Sequence, residues 1–562
     1  MARYTQSERL ESPRRGRIKD SKGRLLVGNV PLTQLMAIPS KIPQETEYLS
    51  KIASALNMPE ELVKKRLNPI DRPPGWPIIL RDSLKGPQLV RASILSKEFK
   101  GLYLKNGNRR TFPYGKVASH ILGYVGEVTE DELKKPLFQE LTWGDEVGKR
   151  GVERRYDRYL RGTKGIHREW LDVVGQTRAA SRLRARSAGH DLQLTLDVEL
   201  QQYAEEILAK KLKALSAKNN ETGGGAMVLM EAKTGKLLVS ASLPEYDPRP
   251  FTRGISVAEF TALLAQPGYP LINRVINGAY APGSTFKMIT ASGALQENLC
   301  TKESSFWCSG SYLTANCFVR SGHGGIGFAG SIAHSCDVVY YQLGHKLGIK
   351  RLKKYCAMYG LGSPTGVDLP DESAGLLPDS KWKERAVGRE WWGGDTINLS
   401  IGQGFLLVSP LQMAVVTAAV ANGGEIVQPY FLGRVITKKG SIFYHHKPAP
   451  KRKVDVKPEH LAAIRRGMEQ AVLFGTSTAA YSGNFSIAGK TGTVENAPNL
   501  DNPKGRNHTW FVSYAPADNP KVVCVAMLEQ SGGYGGSQCA PLVKALLEKY
   551  FQTGQLFAQE VR

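Results

Sequence analysis

The chain has 562 residues, more than one hydrophobic core holds, so two or more domains are expected. Its 41% hydrophobic and 22% charged residues are ordinary for a globular protein and exclude a disordered chain. The formal charge of +24 is uneven: residues 1–190 carry 37 Lys+Arg against 21 Asp+Glu, a balance of +16, and the other 372 carry 38 against 30, a balance of +8.

A basic N-terminal part calls for an anionic neighbour, a phospholipid surface or a nucleic acid, or is a solvated face. No zinc-finger spacing, RNA-binding signature or heptad basic region occurs, so nucleic acid is not expected as a partner. The longest apolar run, residues 411–421, is too short to span a bilayer. The N-terminus lacks a signal peptide's apolar core and opens with Arg3, Arg9, Arg14, Arg15 and Arg17. As read, the chain is soluble: its native form is cytosolic, or an N-terminal anchor has been left off.

Residues 1–190 read as turns and short extended stretches, as at Val27–Pro31, Pro69–Pro77 and Gly107–Pro113. This Gly and Pro punctuation argues against long helices there. A basic stretch, Arg178–Arg186, leads to Gly189, and residues 191–196 alternate like a strand. A helix is predicted over Leu200–Leu215 with Asp197 as its N-cap, then a loop from Lys218 to Gly225. The domain boundary is placed at residue 190. In the second domain, 191–562, residues 226–230 and 237–241 about Thr234-Gly235 read as a hairpin. Helical patterns follow at Phe286–Leu295, Val338–Tyr359, Pro410–Asn422 and Pro458–Leu473. Strand-like runs come at Phe485–Val494, His508–Tyr514 and Val522–Leu528, and a last helix at Ala540–Phe551. Two strands, a helical block, three strands and a terminal helix make an α+β domain with helices packed on an antiparallel sheet.

Pro282-Gly-Ser-Thr-Phe-Lys287 carries the strongest chemical signal. A serine at a helix start with a lysine three residues on places hydroxyl and amine on one face. The helix N-terminus adds positive potential and free amides. A desolvated lysine can take the serine proton, as nucleophilic catalysis requires. Ser-x-x-Lys alone also fits a capped helix with an exposed lysine. Two further elements decide between these readings. Ser335-Cys336-Asp337 lies 51 residues after Ser284 at a helix start, and Lys490-Thr491-Gly492-Thr493 lies 206 residues after it in a strand-like run. In order, spacing and local structure the three match the signature of the penicillin-recognising serine acyltransferases. A side chain at Gly492 is expected to obstruct a substrate backbone laid on the strand edge.

The likeness extends along the chain. Arg15-Gly-Arg-Ile-Lys-Asp20 with Gly23 and Leu25, Gly151-Val-Glu-Arg-Arg-Tyr156 with Leu160-Arg-Gly162, Asn398-Leu-Ser-Ile-Gly-Gln-Gly404 and Trp510-Phe-Val-Ser-Tyr514 resemble blocks of the class B penicillin-binding proteins. Asp337, where most members carry Asn, and Gly394-Asp-Thr396 are similar to the cell-elongation subfamily, penicillin-binding protein 2 of Gram-negative bacteria. The division-type paralogue is the nearer rival. A β-lactamase, carboxypeptidase or β-lactam sensor sharing the fold is the other alternative. No Glu-centred hydrolytic motif of the class A β-lactamases stands between Asp337 and Lys490.

The resemblance implies an elongated, mostly-β pedestal for dimerisation or partners, then a penicillin-binding, serine β-lactamase-like domain on a five-stranded antiparallel sheet. It implies that Ser284 attacks the bond between the terminal D-alanines of a peptidoglycan stem peptide, with β-lactams as inhibitors. Lys287 is then the general base, and Ser335 relays a proton to the leaving group beside Asp337. Lys490 and Thr493, with Thr491 and Gly492 between them, bind the substrate carboxylate, and the amides of Ser284 and Thr493 form the oxyanion hole. Asp337 is expected to raise the pKa of Lys287 unless it is paired or protonated. The resemblance further implies lipid-linked nascent glycan as substrate, and a polytopic membrane glycosyltransferase and elongation proteins as partners. It resolves the anchor question towards a missing N-terminal helix on the periplasmic face of the inner membrane.

The seven cysteines are odd in number and too few for a disulfide scaffold. Cys308, Cys317, His323 and Cys336, at spacings x8, x5 and x12, form a Cys3His set suited to a closed tetrahedral zinc site. A Cys308–Cys317 disulfide is the competing reading. Elongation-type relatives can hold zinc in this loop through Asp, Asp, His and Cys, so the resemblance implies one structural zinc, with Cys308 and Cys317 in place of the carboxylates. Cys300, Cys356, Cys524 and Cys539 read as small buried apolar residues, Cys539 being the most reactive of them. His334 reads as packed or exposed, and His508 as a cross-strand partner or a side chain facing the site.

Overall fold

A computed structural model describes residues 5–560 apart from 69–74, 172–176, 220–222, 449–451, 497–501 and 503. Parts of the Pro69–Pro77 stretch and of the Lys218–Gly225 loop therefore lie outside the described residues.

The pedestal is built on one long strand, Leu25–Ala37, which pairs antiparallel with Leu102–Thr111, Ile78–Arg81 and Ile18–Lys19. A second sheet joins Thr5–Glu11, Gly165–Leu171 and Thr177–Arg184. Three helices, Thr46–Leu56, Glu60–Leu67 and Pro87–Glu98, close a separate core around Ile52, Leu56, Val63 and Leu95. Two of these reach 11 and 12 residues, so the expectation that long helices are absent is corrected. Two of these helices begin at a proline, Pro59 as an N-cap and Pro87 in a first turn, where a missing N–H costs nothing.

Four buried charges lock the pedestal's base. Arg15 contacts Glu153 at 2.6 Å and Asp157 at 2.7 Å, and Arg110 grips the other Glu153 oxygen at 2.5 Å. Burial opposes ionisation of Glu153, yet Arg110 and Arg15 together hold its carboxyl below the usual range. Next to this cluster the Tyr156 hydroxyl donates to Asp368 at 2.6 Å, and Asp368 accepts the backbone amides of Phe431 and Leu432. Asp191–Leu194 pairs with Ile18–Lys19 on one side and Leu432–Ile436 on the other, so one sheet runs through both parts of the chain.

In the second part, α1 (Val198–Asn219) is capped by Asp197, which accepts from Glu199 N at 3.1 Å. The hairpin forms as read, with β1 Gly225–Glu231 against β2 Leu237–Leu243. It joins β3 (Ala488–Val494), β4 (His508–Ala515) and β5 (Val522–Leu528) in an antiparallel five-stranded sheet of order β2–β1–β5–β4–β3. Strand alternation divides the side chains between two cores. Val228, Val512 and Val525 face one core, and Met227, Phe511 and Ala526 the other. After α1, the helices of ten or more described residues are α2 (Lys287–Gln296), α3 (Asp337–Met358), α4 (Pro410–Ala421), α5 (Pro458–Leu473) and α6 (Ala540–Glu560). Every residue of α4 is buried, which explains why it is apolar apart from Gln412 and Thr417, both hydrogen-bonded to backbone carbonyls. Sheet order leaves β3 at an edge, with one row of backbone groups open to a ligand.

Candidate active site

Residues 283–286 form a 3₁₀ turn that runs into α2. Gly283 starts it at φ +55°, and a Cβ there would lie 2.9 Å from the Thr493 carbonyl oxygen. Only glycine therefore lets the serine turn lie against β3. Ser284 is half-buried, and its hydroxyl makes no hydrogen bond among the described residues. Lys287 is fully buried, and its Nζ donates to Asp337 Oδ1 at 2.7 Å, the Ser335 carbonyl at 2.7 Å and Ser335 Oγ at 3.3 Å. Ser335 sits in the bend before α3 with φ +54°, a left-handed conformation that a side chain disfavours.

Lys490, also fully buried, donates to Ser335 Oγ at 2.7 Å and to the Thr491 carbonyl at 3.0 Å. Ser335 Oγ thus accepts from two lysines, which leaves its own O–H free to donate elsewhere. Burial, with the charge of Lys287 behind it, pushes the Lys490 ammonium well below the usual lysine range, against the pull of Asp337. Two buried lysines face one carboxylate, a local surplus of positive charge.

Alternation along β3 separates the four residues of the Lys-Thr-Gly-Thr segment. A Cβ on Gly492 would meet Pro282 O at 2.8 Å, Thr285 Cγ2 at 3.0 Å and Trp510 Cβ at 3.1 Å. The glycine is needed for the serine turn to pack on the strand, a reason that adds to the expected clearance of the edge for substrate. Thr491 points the other way, its hydroxyl 3.0 Å from that of Thr476, and presents its carbonyl to Lys490. Thr493 is half-buried, and its hydroxyl accepts from Gly535 N at 3.3 Å, keeping its proton to donate.

The cysteine set also converges. The ligand atoms of Cys308, Cys317, His323 and Cys336 all lie within 4.8 Å of one another. A hairpin, Ser311–Tyr312 against Ala315–Asn316, returns the chain so that Cys317 N donates to Gly310 O. Cys317 Sγ lies 3.7 Å from His323 Nδ1. A hydrogen bond from Cys336 holds the Cys317 thiol below its usual range, while Cys336 is pushed up in return. Thiolates and an imidazole at this mutual distance fit a tetrahedral zinc. At the residue after Cys317, Phe318 N donates to Asp337 Oδ2 at 3.1 Å. The cysteine loop therefore holds the carboxylate that holds Lys287, a connection with no signal in the residue spacing.

Cys539 is fully buried and its thiol is pushed up to about 12 by burial, so the reading of it as the most reactive of its group is corrected. His508 faces Val494 across the β3–β4 ladder. Sequence reasoning also missed Arg274, Tyr280 and Glu529, where Glu529 pairs with the buried guanidinium at 3.0 Å and accepts from the Tyr280 hydroxyl.

Residues 225–548 match the family described as penicillin binding protein transpeptidase domain, and residues 10–194 match the penicillin-binding protein dimerisation domain. The chain is 30% identical to the peptidoglycan D,D-transpeptidase MrdA of Haemophilus influenzae, covering 96% of this chain and 84% of that protein. It is 28% identical to stage V sporulation protein D of Bacillus subtilis, covering 94% and 77%. Among solved structures, the penicillin-binding protein PBP2 of Helicobacter pylori in complex with MreC superposes with a TM-score of 0.84 at 28% identity, covering 98% of this chain and all of that one. Pseudomonas aeruginosa PBP2 in complex with WCK 5153 gives 0.70 at 27% identity, covering 97% and 96%.

Proposed function

The chain belongs to the penicillin-binding protein transpeptidase family, and from that premise we propose that it performs the cell-elongation peptidoglycan D,D-transpeptidase reaction by serine acyl transfer. The observation that carries this reading is Ser335 Oγ held between Lys287 and Lys490, with Ser284 one turn before Lys287 and its hydroxyl without a hydrogen bond among the described residues. Lys287 becomes a base once its proton passes to Asp337, 2.7 Å away. It then takes the proton from Ser284 Oγ as that oxygen attacks the carbonyl of the penultimate D-alanine. The negative charge on that carbonyl oxygen is met by the Ser284 and Thr493 amides. As the C–N bond breaks, the Ser335 hydroxyl gives its proton to the departing D-alanine and recovers one from a lysine. Lys490, with the Thr493 hydroxyl, receives the terminal carboxylate, which cancels the surplus charge. The amine of a second stem peptide then attacks the acyl-Ser284 ester, forms the cross-link and frees the serine.

The test is mass spectrometry of the chain after exposure to a β-lactam. One adduct on the peptide containing Ser284, absent in Ser284→Ala, supports the reading; no adduct on the wild type overturns it. Rapid turnover of bound penicillin would favour a β-lactamase instead.

The same proposal assigns Cys308, Cys317, His323 and Cys336 to one structural zinc. The metal would order the loop behind Asp337 and take no part in the bond changes. Metal analysis near one zinc per chain supports this, and a Cys308–Cys317 disulfide without metal refutes it. Elongation-complex proteins, a membrane glycosyltransferase among them, are the proposed partners of the pedestal, supported by likeness to the PBP2 solved with MreC. The excess of +16 over residues 1–190 suits work at an anionic surface, here the periplasmic face of the inner membrane. No helix of the described residues is long and apolar enough to cross a membrane, and anchoring there is part of the proposal.

A further inference from the structure

The cysteine loop has an outer side that neither the metal set nor the serine cleft uses. Its ribbon pairs Ser305–Cys308 antiparallel with Gly324–Gly327 and has no third strand. Opposite residues share a face, and successive residues alternate between faces. Phe306, Cys308 and Ile326 turn inward and pack on the core. Ser305, Trp307, Gly325 and Gly327 turn outward, and all four are exposed. The Trp307 side chain is 70% exposed, and its cross-strand neighbour is Gly325.

Folding does not account for this face. A Cβ added at Gly325 or Gly327 would meet nothing within 4 Å, and neither glycine has a left-handed backbone. A side chain would fit at both positions and would strengthen the strand, because glycine weakens a strand interior. A large indole left in water likewise forgoes the gain of burial. Bare backbone beside an exposed ring suits an outside body that lies close to the ribbon.

Size and charge select the occupant. The four paired positions cover on the order of 130 Å². A stable protein interface takes about 800 Å² from each partner, so the ribbon is too small for one. The face is uncharged, and Lys302 and Glu303 just before it pair with each other at 3.6 Å. It therefore attracts neither an anionic lipid surface nor an acidic peptide. A flat, neutral ring that carries hydroxyls fits. The C–H groups on one side of a pyranose are weakly positive and rest against the negative face of the indole. Its hydroxyls reach the Ser305 side chain and the unpaired edges of the ribbon. The ribbon also leads toward the active site: Gly327 caps the helix Phe328–Ala333, and Ser335 follows two residues after that helix.

Resting on the serine acyl-transfer reading above, whose stem peptides hang from glycan strands, we infer that this ribbon is a saccharide platform. Trp307 stacks on an amino-sugar ring of the substrate's glycan strand, and the bare backbone at Gly325 and Gly327 leaves room for the adjoining sugars.

Calorimetric titration of the whole chain with the β-1,4-linked tetrasaccharide of N-acetylglucosamine, a neutral and peptide-free probe, tests this. Binding is expected in the wild type, kept in Trp307→Tyr and weakened by about tenfold in Trp307→Ala. Gly325→Leu, which the open space accommodates, should weaken it by about tenfold too, because the new side chain covers the platform. Acylation of Ser284 by a β-lactam should keep its wild-type rate in all three variants, since no step of acyl transfer uses the ribbon. No binding by the wild type, or undiminished binding in Trp307→Ala or Gly325→Leu, overturns the platform. Acylation lost together with binding also overturns it, because Trp307 then only supports the loop. Self-association of the wild type that Trp307→Ala abolishes assigns the face to a second copy and overturns it as well. A missing β-lactam adduct on wild-type Ser284 overturns the underlying reading instead. Saccharide binding is measured without that adduct, so the two failures are separate.

Discussion

The pedestal and the active site each bury a cluster of charges, and the two are balanced differently. Around Glu153 two arginines meet two carboxylates, each gripped by at least one guanidinium. Around Ser335 two lysines share one carboxylate, and among the described residues Lys490 has only a hydroxyl and a carbonyl oxygen as hydrogen-bond partners. A buried cluster that serves the fold neutralises itself, because an unpaired ion away from water costs several kcal/mol. A cluster that serves a substrate leaves the matching charge for the substrate to bring. The deficit is thus informative: it gives the ligand's sign, and it coincides with the terminal carboxylate of a D-alanyl peptide.

Substitutions can break this contrast. Glu153→Gln strands Arg15 and Arg110, and a loss of about 3–5 kcal/mol is expected in denaturant unfolding. Lys490→Met should do the opposite to stability, raising it by about 1–2 kcal/mol, while kcat/KM for D-alanyl donors falls by about a hundredfold. A Lys490→Met variant that loses stability as Glu153→Gln does would erase the distinction. Asp337→Asn leaves two buried lysines without their counter-ion and weakens the hold on the cysteine loop. Acylation by β-lactams is expected to slow by about tenfold.

The pH dependence sharpens the contrast further. Unfolded, Lys490 keeps its proton to about pH 10.4; folded, it releases it earlier. Between those values the unfolded chain binds more protons, so stability from this group rises with pH. Carboxylate binding is lost over the same rise. Arginine does not titrate there, so in Lys490→Arg the alkaline fall of kcat/KM should move up by about one pH unit.

Much of this was legible in the sequence because local spacing encodes it. Ser284 and Lys287 share one turn, Ser335 precedes a helix, and the Lys-Thr-Gly-Thr segment alternates in a strand. Strand alternation already implied that Thr491 and Lys490 face opposite ways; reading the segment as one unit hid it. The Cys3His set was found from residue type, yet its contact with Asp337 depends on a hairpin that closes only in three dimensions. The Arg15–Glu153 pair spans 138 residues, and no local pattern announces such a partner. The pedestal helices were missed because proline counts as a breaker until its place in the first turn is known.

The left-handed backbone at Ser335 sets folding against chemistry at one position. Glycine would adopt φ +54° without the cost of about 1 kcal/mol that a side chain incurs there. Ser335→Gly would relieve that strain but take from the buried Lys287 and Lys490 their shared acceptor, and the proton for the departing D-alanine disappears with the hydroxyl. The strain at residue 335 is thus held in place by the two lysines it serves, and a screen for thermal stability alone would retain this serine for a reason unrelated to its chemistry.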